Sequence, residues 1–287
     1  GSGFLGSAIA AAARRAGFDV HVTWRTTPPP DGATAHRVRV DEPAEAARLF
    51  ATVQPEVVVN ALGGPHRPVT PDHRRAAWRD APLATSVLLD ACRDRPRRFV
   101  HLASSHELAP SIHPHDETAA VGPVSLRGLA SVASTETVRL WAAETGCPAV
   151  ILRPFSVYGP GEPDDRVVPV VLRAALAGTP FRMANGSGER DFVFVGDIAD
   201  AVVEACRSDV VGEFNLGSGI GTGLHELVTA AEVATGQTIE VLADAFAPRP
   251  WDRDRWVADP SAAAIALEWK AETSLVEGLR RCRDARP

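Results

Sequence analysis

The chain has 287 residues, of which 45% are hydrophobic and 23% charged, and its formal net charge is −6. This composition excludes a disordered or collagen-like chain, and the acidic balance argues against a general binder of nucleic acids or anionic membranes. No stretch approaches about 18 uninterrupted apolar residues, so we expect no membrane span.

The first half of the chain alternates short apolar runs with helical patterns, which predicts parallel strands joined by crossover helices. In chain order we predict a helix at 7–16, a strand at 18–24, a helix at 43–52, a strand at 56–60, a helix at 81–92, a strand at 99–103, a helix at 129–145 and a strand at 149–153. The segment 158–166 is rich in Gly, Pro and Asp and marks a change of architecture. After it we predict a helix at 167–177, a strand at 192–195, a helix at 198–206 and a last helix from residue 274.

The chain opens with the glycine-rich sequence GSGFLG, which runs directly into the first predicted helix. Glycines let the backbone approach a pyrophosphate, and the start of the helix offers free N–H groups to it. In a G-x-x-G-x-x-G pattern, Gly3 and Gly6 are the last two glycines. A strand of about five to six residues usually leads into such a loop, so we expect one upstream of residue 1. The alternative is a glycine-rich start unrelated to any cofactor.

Three downstream positions support a dinucleotide site. The second apolar run ends in Arg25, where an acidic residue would bind the ribose of NAD and an arginine can accept the additional phosphate of NADP. Asp41 follows the third apolar run and is placed to contact the adenine. Ala61, Leu62 and Gly63 follow the strand at 56–60, where a cofactor would lie close to the backbone. These residues favour NADPH over NAD, unless Arg25 is a solvated surface residue.

Five ordered segments carry a more specific pattern. They are GSGFLG at 1–6, RFVHLASS at 98–105, LRPFSVYGPG at 152–161, GSGERDFVFVGD at 186–197, and PRP at 248–250 with DPS at 259–261 and LEWK at 267–270. Together they resemble the extended short-chain dehydrogenase/reductases, the group that includes nucleotide-sugar epimerases, dehydratases and ketoreductases. The resemblance implies an α/β fold with a Rossmann-type doubly wound parallel sheet and a smaller C-terminal substrate-binding domain. We expect the dinucleotide-binding domain at 1–158 and 190–217, and the substrate-binding domain at 159–189 and 218–287.

The sequence departs from this family at the catalytic pair. Family members carry Tyr-x-x-x-Lys downstream of an active-site serine, which corresponds here to Ser104. Alignment places Arg127 at the tyrosine position and Ser131 at the lysine position, and a one-residue shift supplies neither residue type. The chain's single tyrosine, Tyr158, and its single lysine, Lys270, belong to other motifs.

The loss of this pair removes the usual proton donor at the substrate oxygen, a contribution of about 10²–10⁴-fold. Hydride transfer itself needs only a bound cofactor and a carbonyl carbon in the right geometry. We therefore expect Ser104 to hydrogen-bond the carbonyl oxygen and Arg127 to stabilise developing alkoxide charge. A phenol of the substrate, already hydrogen-bonded to the ketone, would supply the proton. His101 and His106 flank the strand end as weaker candidate acids, because packed or solvated histidines are commoner.

The substrate remains open between two classes. Arg190 and Arg249 match positions that hold the pyrophosphate of a nucleotide sugar in family members, although Arg190 would equally serve as a structural residue paired with a carboxylate. The missing Tyr-Lys pair favours an aromatic ketone. The chain also resembles the atypical ketoreductases of aromatic polyketide antibiotics, which reduce such ketones. A flat ketone would then lie between Ser104, Arg127, the loop at 63–78 and Tyr158, with Trp78 stacked on it.

The expected cofactor contacts are Gly1, Gly3, Phe4, Leu5, Gly6, Arg25, Asp41, Ala61, Leu62, Gly63 and Pro154. The expected substrate contacts are Ser105, Trp78, Ser156, Tyr158, Arg190 and Arg249.

The leading hypothesis is an NADPH-dependent ketoreductase that acts on an angucyclinone-type aromatic polyketide without the Tyr-Lys pair. Two alternatives stay open: an NDP-4-keto-6-deoxyhexose ketoreductase or epimerase, and a non-catalytic NADPH-binding protein. We expect a small-molecule substrate, no metal, no nucleic-acid or membrane partner, and a monomer or homodimer. The four cysteines form no CxxC pair, which fits a reducing cytoplasm and argues against a zinc site.

Overall fold

The computed structural model describes residues 1–29, 32–64, 70–92, 96–184, 188–246 and 254–286. The elements of the first half are α1 (Phe4–Arg15), β1 (His21–Trp24), β2 (Thr34–Arg37), α2 (Pro43–Val53), β3 (Val57–Asn60), α3 (Pro71–Trp78), a π-helical turn (Arg79–Leu83), α4 (Ala84–Ala91), β4 (Arg98–Leu102), a 3₁₀ turn (Ser105–Glu107), α5 (Leu126–Thr145) and β5 (Ala149–Pro154). Those of the second half are β6 (Ser156–Tyr158), α6 (Val167–Ala177), β7 (Phe181–Ala184), β8 (Glu189–Phe194), α7 (Val195–Arg207), β9 (Gly212–Leu216), β10 (Gly221–Thr222), α8 (Leu224–Thr235), β11 (Val241–Phe246), β12 (Arg255–Trp256), α9 (Ser261–Ala266) and α10 (Leu275–Asp284).

A parallel sheet in the order β3-β4-β5-β9 forms the centre of the fold. β4 is buried along its whole length, as expected for a parallel strand covered by helices on both faces. Core residues of α1 and α7 cluster with side chains of one face of this sheet, and that cluster continues into α6, α8 and α10 of the C-terminal half. Residues of α4 and α5 cluster with side chains of the other face. The predicted α/β fold with a Rossmann-type, doubly wound sheet is confirmed.

β1 and β2 form a second parallel pair, and an apolar cavity of about 220 Å³ lies between this pair and β3. Its walls come from α1, β1, α2 and β3, with Val22 and Val59 among the lining side chains. The N-terminal loop borders this cavity, because Gly1 lies against Val22 and Thr23. The glycine-rich loop is therefore placed between the two sheets.

The C-terminal half adds smaller sheets beside the central one. β8 pairs in parallel with β6 and β12 and antiparallel with β10, while β7 pairs in parallel with β11. The division of the chain into two domains at these segments stays a prediction. Within the described ranges, none of the helices is both long and apolar enough to cross a membrane.

Several element bounds differ from the sequence-based expectation, and two of these differences lie near the candidate site. The segment 63–78 is not all loop, because α3 occupies Pro71–Trp78. Thr70 caps this helix by accepting a hydrogen bond from His73 N at 3.1 Å, and Pro71 is its first residue. α5 begins at Leu126, three residues earlier than expected, because Ser125 accepts a hydrogen bond from Gly128 N at 3.1 Å.

Candidate active site

The N-terminal loop leads into α1 through Gly3, which is the N-cap residue and has extended backbone angles. No side chain caps this helix, so its first N–H groups remain available to a ligand. Gly6 must be glycine because a Cβ there would collide with the carbonyl of Gly1, whereas the space in front of Gly3 is open. The loop therefore fits a bound pyrophosphate, with Phe4 and Leu5 half-buried behind it.

The segment after β3 lies beside this loop. Asn60 is buried at the end of β3, and its Oδ1 accepts a hydrogen bond from Leu62 N at 3.1 Å. Ala61 and Leu62 line the same cavity as Gly1 and Gly6. The structure thus brings the two predicted cofactor segments together, and Gly63 has open space in front of its Cα.

Arg25 is not an isolated surface residue. Its two terminal nitrogens lie 2.8 and 3.2 Å from the carboxylate oxygens of Asp80, and Arg79 contacts the same carboxylate at 2.7 and 3.1 Å. Burial alone would raise the pKa of Asp80, but the hydrogen bonds from Arg25 and Arg79 lower it below its usual value. The side chain of Asp41 is nearly buried, 3.3 Å from Arg39 Nη2 and 4.0 Å from Arg79 Nε.

A second cavity, of about 60 Å³, lies where β4 ends against the start of α5. It brings together Gly63, Ser104, Arg127 and Ser131, which the sequence predicted from three separate motifs. Ser104 caps the 3₁₀ turn, and its Oγ accepts a hydrogen bond from His106 N at 3.3 Å. One cavity therefore contains Ser104, Arg127 and Ser131, the three residues that the sequence analysis predicted at the family's serine, tyrosine and lysine positions.

Arg127 carries the positive charge of this cavity. Burial, followed by the charge of Arg166, lowers the pKa of Arg127 to about 10, so it stays protonated at neutral pH. Arg166 is bound by Glu162, with Nε and Oε1 2.6 Å apart. A guanidinium group beside Ser104 can stabilise negative charge on a reacting oxygen.

Ser131 belongs to a buried polar network that the sequence analysis did not find. Ser131 donates a hydrogen bond to Glu107 Oε1 at 2.7 Å, and Thr135 donates to the same oxygen at 2.8 Å. The other oxygen of Glu107 lies 3.3 Å from two nitrogens of Arg153, and both of these charged residues are buried. The available sequence signal was Arg153 in the RPFSVYGPG segment, a charged residue at the end of an apolar strand.

The expected substrate contact of Tyr158 is wrong. Its ring is only 1% exposed and packs against Phe192 and Phe194 in the core. Its hydroxyl lies 3.4 Å from the carbonyl oxygens of Ser274 and Leu275 in the C-terminal part of the chain. Burial raises the pKa of this phenol, so Tyr158 is a core residue that offers no surface to a ligand.

The other expected substrate residues are dispersed. Arg190 Nη1 donates to the backbone carbonyls of Glu189 at 2.9 Å and Asp254 at 3.3 Å, and its guanidinium lies 5.9 Å from the ring centre of Trp256. These contacts fit the alternative interpretation, in which Arg190 is a structural residue, although the hydrogen-bond acceptors named here are backbone carbonyls. Trp78 ends α3 and is 42% exposed.

Three predicted contacts belong to the strands and turns around this region. Pro154 ends β5, Ser156 begins β6 and is half-buried, and Ser105 is buried in the 3₁₀ turn. Arg249, Gly186 and Ser187 lie outside the described residues.

The residue pattern of the NAD dependent epimerase/dehydratase family matches residues 1–217 of this chain. The chain belongs to this family. The match covers more than half of the chain and includes every segment that lines the two cavities.

Individual relatives agree with this assignment. UDP-glucose 4-epimerase of Mycolicibacterium smegmatis is 31% identical over 192 residues, which cover 64% of this chain and 61% of that protein. dTDP-glucose 4,6-dehydratase 1 of Escherichia coli is 26% identical over 275 residues, covering 84% and 74%. The crystal structure of Thermus thermophilus UDP-glucose 4-epimerase in complex with NAD is 26% identical, with a TM-score of 0.89 over 99% of this chain and 96% of that one.

Proposed function

We propose that the chain is a nicotinamide-dependent ketoreductase that reduces a ketone of an angucyclinone-type aromatic polyketide without a Tyr-Lys pair. The observation that carries this proposal is the cavity at the end of β4, which brings together Ser104, Arg127 and Ser131, the latter two being the residues that the sequence analysis aligned with the family's tyrosine and lysine. No other segment supplies a tyrosine or a lysine to this cavity, because the chain's single tyrosine, Tyr158, lies in the core and its single lysine, Lys270, is exposed beyond α9.

Family membership and the NAD complex of the Thermus thermophilus relative support a nicotinamide cofactor. The open space before Gly3 and Gly63 fits such a group, and when bound it supplies the hydride. Arg25, which follows β1, and Arg79, which shares the carboxylate of Asp80 with it, favour the phosphorylated form, NADPH, because two guanidinium groups suit a phosphate.

The side chains of the cavity have complementary roles in this reaction. The hydroxyl of Ser104 donates a hydrogen bond to the ketone oxygen, and protonated Arg127 stabilises the negative charge that develops on it. A guanidinium with a pKa of about 10 is a poor proton donor at neutral pH. The proton therefore comes from the substrate, from a phenol in the peri position that is already hydrogen-bonded to the ketone.

A pair of substrates tests this mechanism. A peri-hydroxy polycyclic ketone and its methyl ether present the same carbonyl to the cavity, but only the phenol can donate a proton. We expect the phenol to be reduced and the ether to be reduced at least about a hundredfold more slowly, within the range of general acid catalysis. Equal rates would contradict the substrate-assisted step.

A second candidate is a reductase or epimerase of NDP-4-keto-6-deoxyhexoses. It is favoured by the relatives, which are named as sugar-nucleotide epimerases and dehydratases. Under this alternative Arg190 contacts the substrate, and Arg190→Ala would weaken nucleotide-sugar binding several-fold. Unchanged binding would remove this candidate.

A further inference from the structure

His101 is a buried histidine of β4, 1% exposed, that lines the Ser104 cavity. Its Nδ1 lies 3.1 Å from Asn60 Nδ2. The orientation of the Asn60 amide is fixed because its oxygen accepts from Leu62 N, while its nitrogen also donates to Thr85 Oγ1 at 3.1 Å. His101 Nδ1 must therefore accept a hydrogen bond, which places the ring proton on Nε2.

The Nε2–H group of His101 finds no acceptor among the described residues. Burial lowers the pKa of His101 to about 4, so the ring is neutral and has this one donor at physiological pH. Buried polar groups nearly always have a hydrogen-bond partner, either protein or ordered water. The geometry thus leaves one donor at the wall of the cavity that requires an acceptor.

The serine hydroxyls of the cavity offer acceptors. Ser131 uses its proton toward Glu107, at 2.7 Å, and Ser134 uses its proton toward the carbonyl of Ala130, at 3.1 Å. Ser104 already accepts one hydrogen bond from a backbone N–H. A hydroxyl oxygen has two acceptor lone pairs, so each of these serines can accept a further hydrogen bond from inside the cavity.

We propose that this cavity binds a water molecule, which accepts from His101 Nε2–H and donates to serine hydroxyls, and that this water orients Ser104. The cavity of about 60 Å³ exceeds the roughly 10–15 Å³ that one water needs. With its second lone pair occupied by the water, Ser104 directs its own proton toward the substrate oxygen. The water takes the place of the family's lysine side chain, where this chain has the short Ser131.

His101 is accordingly a positioning residue, because it acts on the substrate oxygen only through the water and Ser104. The role in reduction rests on the proposed function, whereas the water site does not. Two measurements therefore separate the two claims.

The first measurement concerns the water site alone. Nitrogen-15 NMR of the full chain is expected to show a neutral His101 with its proton on Nε2 from about pH 5 to about pH 8. A nuclear Overhauser contact should link this proton to a long-lived water, and His113→Phe, which changes an exposed histidine, should retain that contact. A proton on Nδ1, a charged ring, or no water contact would overturn the proposal.

The second measurement is a double-mutant cycle on ketone reduction. His101→Phe should lower kcat about tenfold with unchanged cofactor affinity, and His101→Gln, which keeps a donor near the Nε2 position, should recover most of the loss. In a chain that already carries Ser104→Ala, His101→Phe should lower kcat no further. Additive losses would contradict action through Ser104. If no ketone is reduced, the proposed function fails, and the NMR result decides the water site by itself.

Discussion

Asp80 accepts hydrogen bonds from Arg25, which follows β1, and from Arg79. In this fold the end of that strand is where a dinucleotide presents the ribose of its adenosine half. The carboxylate of Asp80 receives two hydrogen bonds from Arg25 and two from Arg79. A phosphate on this ribose would bind the same two guanidinium groups, and the negative charge of Asp80 would repel it. Asp80 is therefore expected to limit how strongly the chain prefers NADPH.

The variant Asp80→Asn tests this role. Removal of the carboxylate charge frees both guanidinium groups for the phosphate, so the Kd of NADPH should fall about tenfold, or about 1.4 kcal/mol, while the Kd of NADH changes little. Isothermal titration calorimetry with both cofactors measures the difference. Asp72→Asn, an exposed carboxylate of α3 that pairs with Arg75, is the matched control. Equal gains for both cofactors, or no gain, would show that the two arginines do not bind the phosphate.

At the residue scale, the sequence located candidate positions where a local pattern carried the information, and their roles stay predictions. The glycine loop and Ser104 were located from short motifs and Arg127 from its spacing before Arg153, and the structure places Ser104 and Arg127 in one cavity. The partner of Arg25 was not predictable, because Asp80 is 55 residues away in the sequence. Tyr158 was misassigned because a motif position does not reveal whether the ring faces the cleft or the core.

The turn between β6 and α6 lies close to the glycine-rich loop at one point and contacts Arg166 at another. A Cβ on Gly161 would lie 3.9 Å from the Phe4 ring, and Glu162 in the same turn binds Arg166. Burial raises the pKa of Glu162 to about 7, despite the opposing charge and hydrogen bond of Arg166. This turn therefore contains a carboxyl group that titrates near neutral pH in the folded chain.

Glu162 predicts a pH dependence of stability. Between about pH 4.5 and about pH 7 the unfolded chain releases a proton that the folded chain retains, so the free energy of unfolding falls as pH rises through this window. The loss is at most about 3–4 kcal/mol, at about 1.4 kcal/mol per pKa unit. Urea unfolding across this range should show a flatter profile for Glu162→Gln. Asp164→Asn, which changes an exposed carboxylate of the same turn, should retain the wild-type slope, and an unchanged slope in Glu162→Gln would refute the assignment.

Elements with a strong apolar pattern were predictable from the sequence. The helix at 167–177 has the predicted bounds, and the buried strands β3, β4 and β5 lie within one residue of their predicted positions. α3 was missed because only Ala77 of its eight residues is buried, so it carries little apolar periodicity. Its start was nevertheless signalled by Thr70 and Pro71, an N-cap residue followed by proline.

At the scale of the whole molecule, the candidate site follows the topology of the sheet. β3 and β4 are parallel neighbours, so the segments after them emerge at the same edge, and both Gly63 and Ser104 line the cavity there. Ligands of open α/β sheets bind at the carboxyl ends of the strands. Under the proposed function, the cofactor and the substrate meet at this edge of the sheet, and the residues at 127 and 131 determine the chemistry.

The most direct test of the proposed ketone reduction is cofactor oxidation by the protein with two substrates, a peri-hydroxy polycyclic ketone and an NDP-4-keto-6-deoxyhexose. We expect NADPH to be consumed with the aromatic ketone and not with the sugar nucleotide, and Ser104→Ala to lower that turnover without changing cofactor affinity. Turnover of the sugar nucleotide alone would contradict the reduction of an aromatic ketone and assign the chain to sugar-nucleotide chemistry. Cofactor binding without turnover of either substrate would contradict it as well, and would indicate a non-catalytic binding protein.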